Sequence, residues 1–185
     1  MGEATVAAYL VTVAGFEITR RTYGFPTPAQ IGLTPAALAA GKFWLLFTSA
    51  LIVSGPPLLE LLGLSIAVAV LLARRDALEF WRVAVGGHVG ATLIAYAGVG
   101  VLWLVSRETV EGVVNDPDYG VSAVWLAVLG AIAATVWGDA RREGWTPEKR
   151  AMLGICGGAA VIGVVFFPPL SATEHGLAFL IGFIL

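Results

Sequence analysis

Charge is scarce in this chain. Of its 185 residues only 13% are Asp, Glu, Lys or Arg, while 58% are hydrophobic. A soluble domain carries about a quarter charged residues, so a water-facing globular surface is not what this composition builds. With a mean hydropathy of +0.85, the chain reads as an integral membrane protein forming one domain over residues 1–185. The formal net charge of −2 gives no basic surface for nucleic acid. Cysteine is nearly absent. The single Cys156 lies in an apolar run, has no intrachain disulfide partner, and reads as a buried structural thiol. Nothing in the composition calls for a metal or another cofactor. The N-terminus "MGEATVAAYL" lacks a basic region ahead of its apolar stretch, so that stretch reads as a retained span and not a cleaved signal. Repeats and low-complexity segments are lacking too.

What is present is a set of apolar segments separated by charge. Six spans are expected, over about Ala4 to Ile18, Pro56 to Ala73, Val83 to Ser106, Gly120 to Gly138, Ala151 to Leu170, and Ser171 to Leu185. The last is shorter than the ~20 residues of a full crossing, so it is either tucked against its neighbours or continued past Leu185. Phe43 to Gly55, with Trp44 and a Pro-Pro stop, is too short to cross and reads as an interfacial or re-entrant piece. With the N-terminus inside, seven basic residues (Arg74, Arg75, Arg82, Arg141, Arg142, Lys149 and Arg150) lie inside, and four (Arg20, Arg21, Lys42 and Arg107) lie outside. The positive-inside bias therefore favours both termini in the cytoplasm of a prokaryotic plasma membrane. Small residues recur at four-residue spacing (Gly86/Gly90, Gly130/Ala134, Gly154/Gly158, Ala178/Gly182), as densely packed helices require.

Polar residues at membrane depth are few: Glu17, Glu60, Ser65, His88, Ser122, Glu174 and His175. Each is costly there, so each is a functional candidate. The two histidines sort by depth. His88 follows Arg82 by six residues, about 9 Å from the inner face, and reads as a packing histidine. His175 and Ser122 begin the sixth and fourth spans, which both enter from outside, so they share a face and a shallow depth. A serine nucleophile and its general base need that placement. At the first turn of a helix the N–H groups lack partners and the dipole is positive, which suits a developing oxyanion beside Ser122. Gly120 permits the tight approach. Ser122 also reads simply as a helix N-cap. Ser65 in Gly63-Leu64-Ser65 fits the same Gly-x-Ser pattern but stands mid-helix. Glu17 is spaced to pair with Arg20 or Arg21, and Glu174 is expected to point to the outer interface.

These features resemble the rhomboid family of intramembrane serine proteases over nearly the whole length. "FWLLFTSALI" looks like the family's membrane-lying first loop running into the second helix. "GVSA" looks like its Gly-x-Ser-Gly/Ala nucleophile motif, and "HGLAFLIG" looks like its sixth-helix His-x-x-Gly-x-x-x-Gly, with Ala178 at the first glycine position and Gly182 at the second. The resemblance implies an all-α polytopic membrane protein, a six-transmembrane-helix bundle with a membrane-lying first loop. It also implies a catalytic Ser122–His175 dyad near the outer face, supported by helix packing at Ala178 and Gly182. The dyad would hydrolyse a peptide bond in or beside a transmembrane substrate, reached laterally from the lipid bilayer or past the loops. The sequence departs from the family at the second-helix His-x-x-x-Asn, whose places, counted from Thr48, fall on Leu58 and Leu62. It departs again at the aromatic four residues past the serine, here Leu126, and at the loop Trp-Arg, here Trp44-Leu45. Glu60 lies between the two vacant places. It reads as a protonated oxyanion donor, an orienter of His175, or a helix-start carboxylate facing the dipole.

Beside the protease reading stand two others. One is a catalytically weak or inactive relative that binds client transmembrane segments. The other is a small transporter, which would need a polar path through the midplane, where these spans are aliphatic.

Overall fold

A computed structural model describes residues 2–185. Among these, ordered structure is helical, and the sole strand-like feature is a bridge between Leu33 and Asp118. Helix α1 runs Gly2–Tyr23. Three short helices follow, α2 (Pro28–Ile31), α3 (Pro35–Ala39) and α4 (Leu45–Thr48), the last continued by a 3-10 turn at Ser49–Leu51. Then come α5 (Pro57–Leu72), α6 (Ala77–Val105), α7 (Arg107–Val114), α8 (Ser122–Glu143), α9 (Pro147–Val165) and α10 (Pro169–Ile184).

Local chemistry sets these ends. Proline opens α5, α9 and α10, where its missing N–H leaves nothing unpaired. Asp76 caps α6 by accepting from Glu79 N, and Thr146 caps α9 by accepting from Lys149 N. Two helices therefore begin earlier than the apolar pattern alone places them: α6 starts at Ala77 instead of Val83, and α9 at Pro147 instead of Ala151. The segment after Ser106, expected as loop, is helical in α7.

Two helices, Ala77–Val105 and Ser122–Glu143, are long and apolar enough to cross a membrane. Helix α8 sits at the centre, buried from Ala123 through Ala133 except at Trp125, with α10, α6, α9 and α5 against it. The α8–α10 seam is closed by missing side chains. A Cβ on Gly182 would run into the Ala127 backbone, and one on Gly130 into the Phe179 carbonyl. A Cβ on Gly87 of α6 would meet the Ala127 side chain. Gly154 and Gly158, by contrast, have nothing within 4 Å, so their spacing marks no contact.

The segment from Thr27 to Gly55 lies across α1 and α6. Polar side chains pin its backbone: Tyr9 Oη donates to Ala50 O (3.3 Å), Tyr96 Oη to Leu33 O (3.0 Å), and His88 Nε2 to Leu46 O (2.9 Å). Leu45 and Leu46 are buried while Phe43, Trp44 and Phe47 project outward. His88 is the twelfth residue of α6, roughly 16 Å from its start. It is therefore near mid-helix, because α6 begins six residues before the expected span.

Glu17 is ion-paired with both Arg20 and Arg21. Cys156 is buried. Glu174 is only 2% exposed and accepts from Thr92 Oγ1 of α6 at 3.3 Å. The expectation that it faces the outer interface is corrected: α6 and α8 cover adjacent sides of α10, so consecutive residues 174 and 175 are both enclosed.

Candidate active site

The site is built where α8 and α10 begin at the same end of the bundle. Before α8 the chain is tied to the first loop by two backbone bonds, Gly120 N to Ser49 O (3.1 Å) and Val121 N to Ile52 O (2.8 Å). Gly120 makes this turn at φ +146°, a conformation that favours glycine. Ser122 follows as the first residue of α8. Trp125 N closes the first helical bond, to Val121 O (2.9 Å). The N–H groups of Ser122, Ala123 and Val124 therefore stand ahead of the helix's own ladder, at its positive end.

Ser122 Oγ lies 2.9 Å from His175 Nε2. The other ring nitrogen, Nδ1, is 2.9 Å from Gly163 O of α9. A carbonyl only accepts, so Nδ1 carries the proton and Nε2 presents its lone pair to the serine hydroxyl. This is the tautomer a general base requires, set by a backbone carbonyl without a carboxylate. The Phe167 ring meets the imidazole edge-on, with centroids 4.6 Å apart and planes at 78°. Leu126 lies close to Gly163: a Cβ on Gly163 would stand 2.9 Å from Leu126 Cδ1 and 3.4 Å from His175 Nδ1. His175, Ala178 and Gly182 share the buried face of α10.

A second Ser–His contact exists and has the opposite character. Ser49 Oγ is 3.3 Å from His88 Nε2, but Leu46 O, at 2.9 Å, claims the proton on that nitrogen. Both side chains are buried. His88 there is a donor holding the first loop and is not a base.

The dyad faces a cavity of about 200 Å³ lined by Ser54, Pro117, Asp118, Tyr119, Phe167, Pro168 and Ser171 besides Ser122 and His175. Ser171 Oγ donates to Asp118 Oδ1 (2.8 Å), and the Asp118 backbone pairs with Leu33 in both directions (2.7 and 2.9 Å). Glu60 is turned to the loop before its own helix. Its carboxylate accepts from Gly55 N (2.6 Å), Ser54 N (3.3 Å) and Ser54 Oγ (3.4 Å). Of its three expected roles, the helix-start carboxylate matches these contacts. Leu58 and Leu62 are 70% and 51% exposed and do not line the cavity. The chain is non-helical over 52–56, between the first loop and α5.

Ser54, Gly163 and Phe167 were missed from sequence. Phe167, directly before Pro168-Pro169 at the mouth of α10, offered a signal. Ser54, a polar residue in the turn that opens α5, offered a weaker one. Gly163 offered none, since it contributes only a carbonyl.

Compared with known proteins, the chain matches no family model, no curated protein and no solved structure.

Proposed function

We propose that this protein is an intramembrane serine endopeptidase of rhomboid type, with Ser122 as nucleophile and His175 as general base. The observation that carries this reading is the pair of contacts on the imidazole: Gly163 O holds the proton on Nδ1, and Ser122 Oγ meets the free Nε2 at 2.9 Å. The hydroxyl proton passes to Nε2 as Oγ attacks the scissile carbonyl carbon, whose π pair moves onto oxygen. When the tetrahedral species collapses, the C–N bond breaks and Nε2–H protonates the departing amine. Water then attacks the acyl-serine, giving its proton to His175, and the serine leaves as the hydroxyl. No cofactor takes part.

In this reading helices α1, α5, α6, α8, α9 and α10 form a six-span bundle, the segment from Thr27 to Gly55 lies in the membrane face, and both termini are cytoplasmic. Support comes from the outward-facing apolar side chains on α5, α6, α9 and α10 (Leu59, Ile66, Leu104, Ile155, Val161 and Ile184 among them), which suit lipid and not water. The substrate is a transmembrane segment, the helix that can approach such a site through the bilayer.

The test is cleavage in liposomes of a panel of tagged single-span substrates. The parent is expected to cut at least one in or beside its span, and Ser122→Ala and His175→Ala to cut none. Products that persist in Ser122→Ala would overturn the assignment. Substrates that bind the parent but are never cut would replace it with the client-binding reading.

A further inference from the structure

A serine hydrolase must also bind the oxygen that becomes negative, and one feature of the fold is shaped for it. Gly120 has no side chain where one would otherwise fill a small recess. A Cβ there would stand 3.0 Å from Ser122 Oγ, 3.2 Å from Ser54 Oγ and 3.7 Å from Ser122 N. The recess is thus an atom-sized space with the nucleophile and two hydrogen-bond donors within 4 Å of its centre. We propose that it is the oxyanion site, with the Ser54 hydroxyl and the Ser122 N–H as its donors and Glu60 as the residue that positions Ser54. This inference rests on the serine-endopeptidase reading above.

Among the three atoms nearest the recess, the backbone contributes one donor, Ser122 N. The N–H groups of Gly120 and Val121, the residues just before the nucleophile, are already given to Ser49 O and Ile52 O. Ser122 N–H precedes the helical ladder and is the nearest unspent donor. The first turns of α5 supply nothing, since Leu58 and Leu62 face outward. Among the hydroxyls lining the cavity, Ser171 is engaged with Asp118. Ser54 comes from the turn before α5, and its Oγ lies 3.2 Å from the Gly120 Cβ position.

Glu60 fixes that turn through the N–H groups of Ser54 and Gly55. Its contact with the Ser54 hydroxyl is long, 3.4 Å, so the O–H is free to swing to a stronger acceptor while the two backbone bonds keep the turn in place. As Ser122 attacks, the carbonyl π pair moves onto oxygen within the recess, and Ser54 Oγ–H and Ser122 N–H donate to it. The pair returns when the C–N bond breaks. Neither donor loses its proton.

The test measures kcat and KM for one cleaved transmembrane substrate, alongside phosphonate labelling of Ser122 and thermal unfolding, in Ser54→Ala, Ser54→Thr and Gly120→Ala. Losing one oxyanion donor costs about 100- to 1000-fold in kcat. Ser54→Ala is expected to show that loss with little change in KM or unfolding temperature, and Ser54→Thr, which keeps the hydroxyl, to recover most of it. Gly120→Ala fills the recess and is expected to fall at least as far. Ser54→Ala with kcat within about threefold of the parent, while Ser122 still labels, would overturn the oxyanion assignment and leave the dyad standing. Equal losses in Ser54→Ala and Ser54→Thr with lowered unfolding temperature would overturn it as well, marking Ser54 as structural. A parent whose Ser122 neither labels nor cuts would remove the underlying hydrolase reading instead.

Discussion

The 2.9 Å contact between Ser122 and His175 depends on a seam two helical turns away, and replacing Gly182 with valine tests that dependence. Gly182 lies seven residues past His175 on the same face of α10, about 10 Å along the axis. A Cβ there would stand 2.9 Å from Ala127 Cα and 2.7 Å from Ala127 C, and would meet Ala127 O more closely still, whereas ordinary contact begins at 3.4 Å. The obstacle is backbone, which cannot rotate aside, so α10 has to move off α8 by about an ångström, the scale on which packed helices tolerate no insertion. Carried along the helix, that shift stretches the dyad beyond hydrogen-bond range. Overpacking of this kind costs about 1–3 kcal/mol of stability, and an ångström of misplacement costs about 100-fold in rate. Gly158→Val is the control, because nothing lies within 4 Å of its Cβ position; it should leave both quantities near the parent. The assay is the rate of Ser122 phosphonate labelling together with thermal unfolding in one detergent. A folded Gly182→Val protein that labels as fast as the parent would refute the claim that this seam sets the dyad.

Other expectations follow from single contacts. His88→Ala strips Leu46 O of its donor, an unsatisfied buried carbonyl worth about 1–3 kcal/mol. Denaturant unfolding should register that loss, while Ser49→Ala should leave Ser122 labelling intact; a collapse of labelling in Ser49→Ala would make the Ser49–His88 pair the active one. Phe167→Ala removes the edge contact on His175, and since such aromatic pairs contribute about 0.5–1.5 kcal/mol, labelling should slow by about 2- to 12-fold; an unchanged rate would show that the ring does not steady the imidazole. Cys156 is 2% exposed, so a maleimide should modify it only after denaturation. Fast modification of the folded protein would contradict the packing of α9 on α8.

The Ser122–His175 contact was legible because two simple rules converge on it. Ser122 opens α8 and His175 is the seventh residue of α10, two helices that begin at the same end of the bundle, and helix starts leave N–H groups unspent. Gly182 was legible as a small residue on the histidine's face. What failed were inferences that needed to know where a helix begins or what covers it. The start of α6 was set late because Asp76 caps it six residues before the apolar pattern starts. Glu174 looked like a surface carboxylate by its charge, yet Thr92 and the flank of α6 enclose it. Gly163 acts through its carbonyl, and no residue identity encodes that. The six-span bundle itself is part of the proposal, with α6 and α8 the two helices long and apolar enough to cross unaided.

The central claim is that Ser122 is a nucleophile activated by His175, and covalent labelling tests it most directly. The purified protein is treated with a serine-directed fluorophosphonate and the modified residue is identified by mass spectrometry in the parent, Ser122→Ala and His175→Ala. The account predicts one adduct, on Ser122, absent from Ser122→Ala and reduced to background in His175→Ala. An adduct on another serine, or labelling of Ser122 that continues undiminished in His175→Ala, would contradict it.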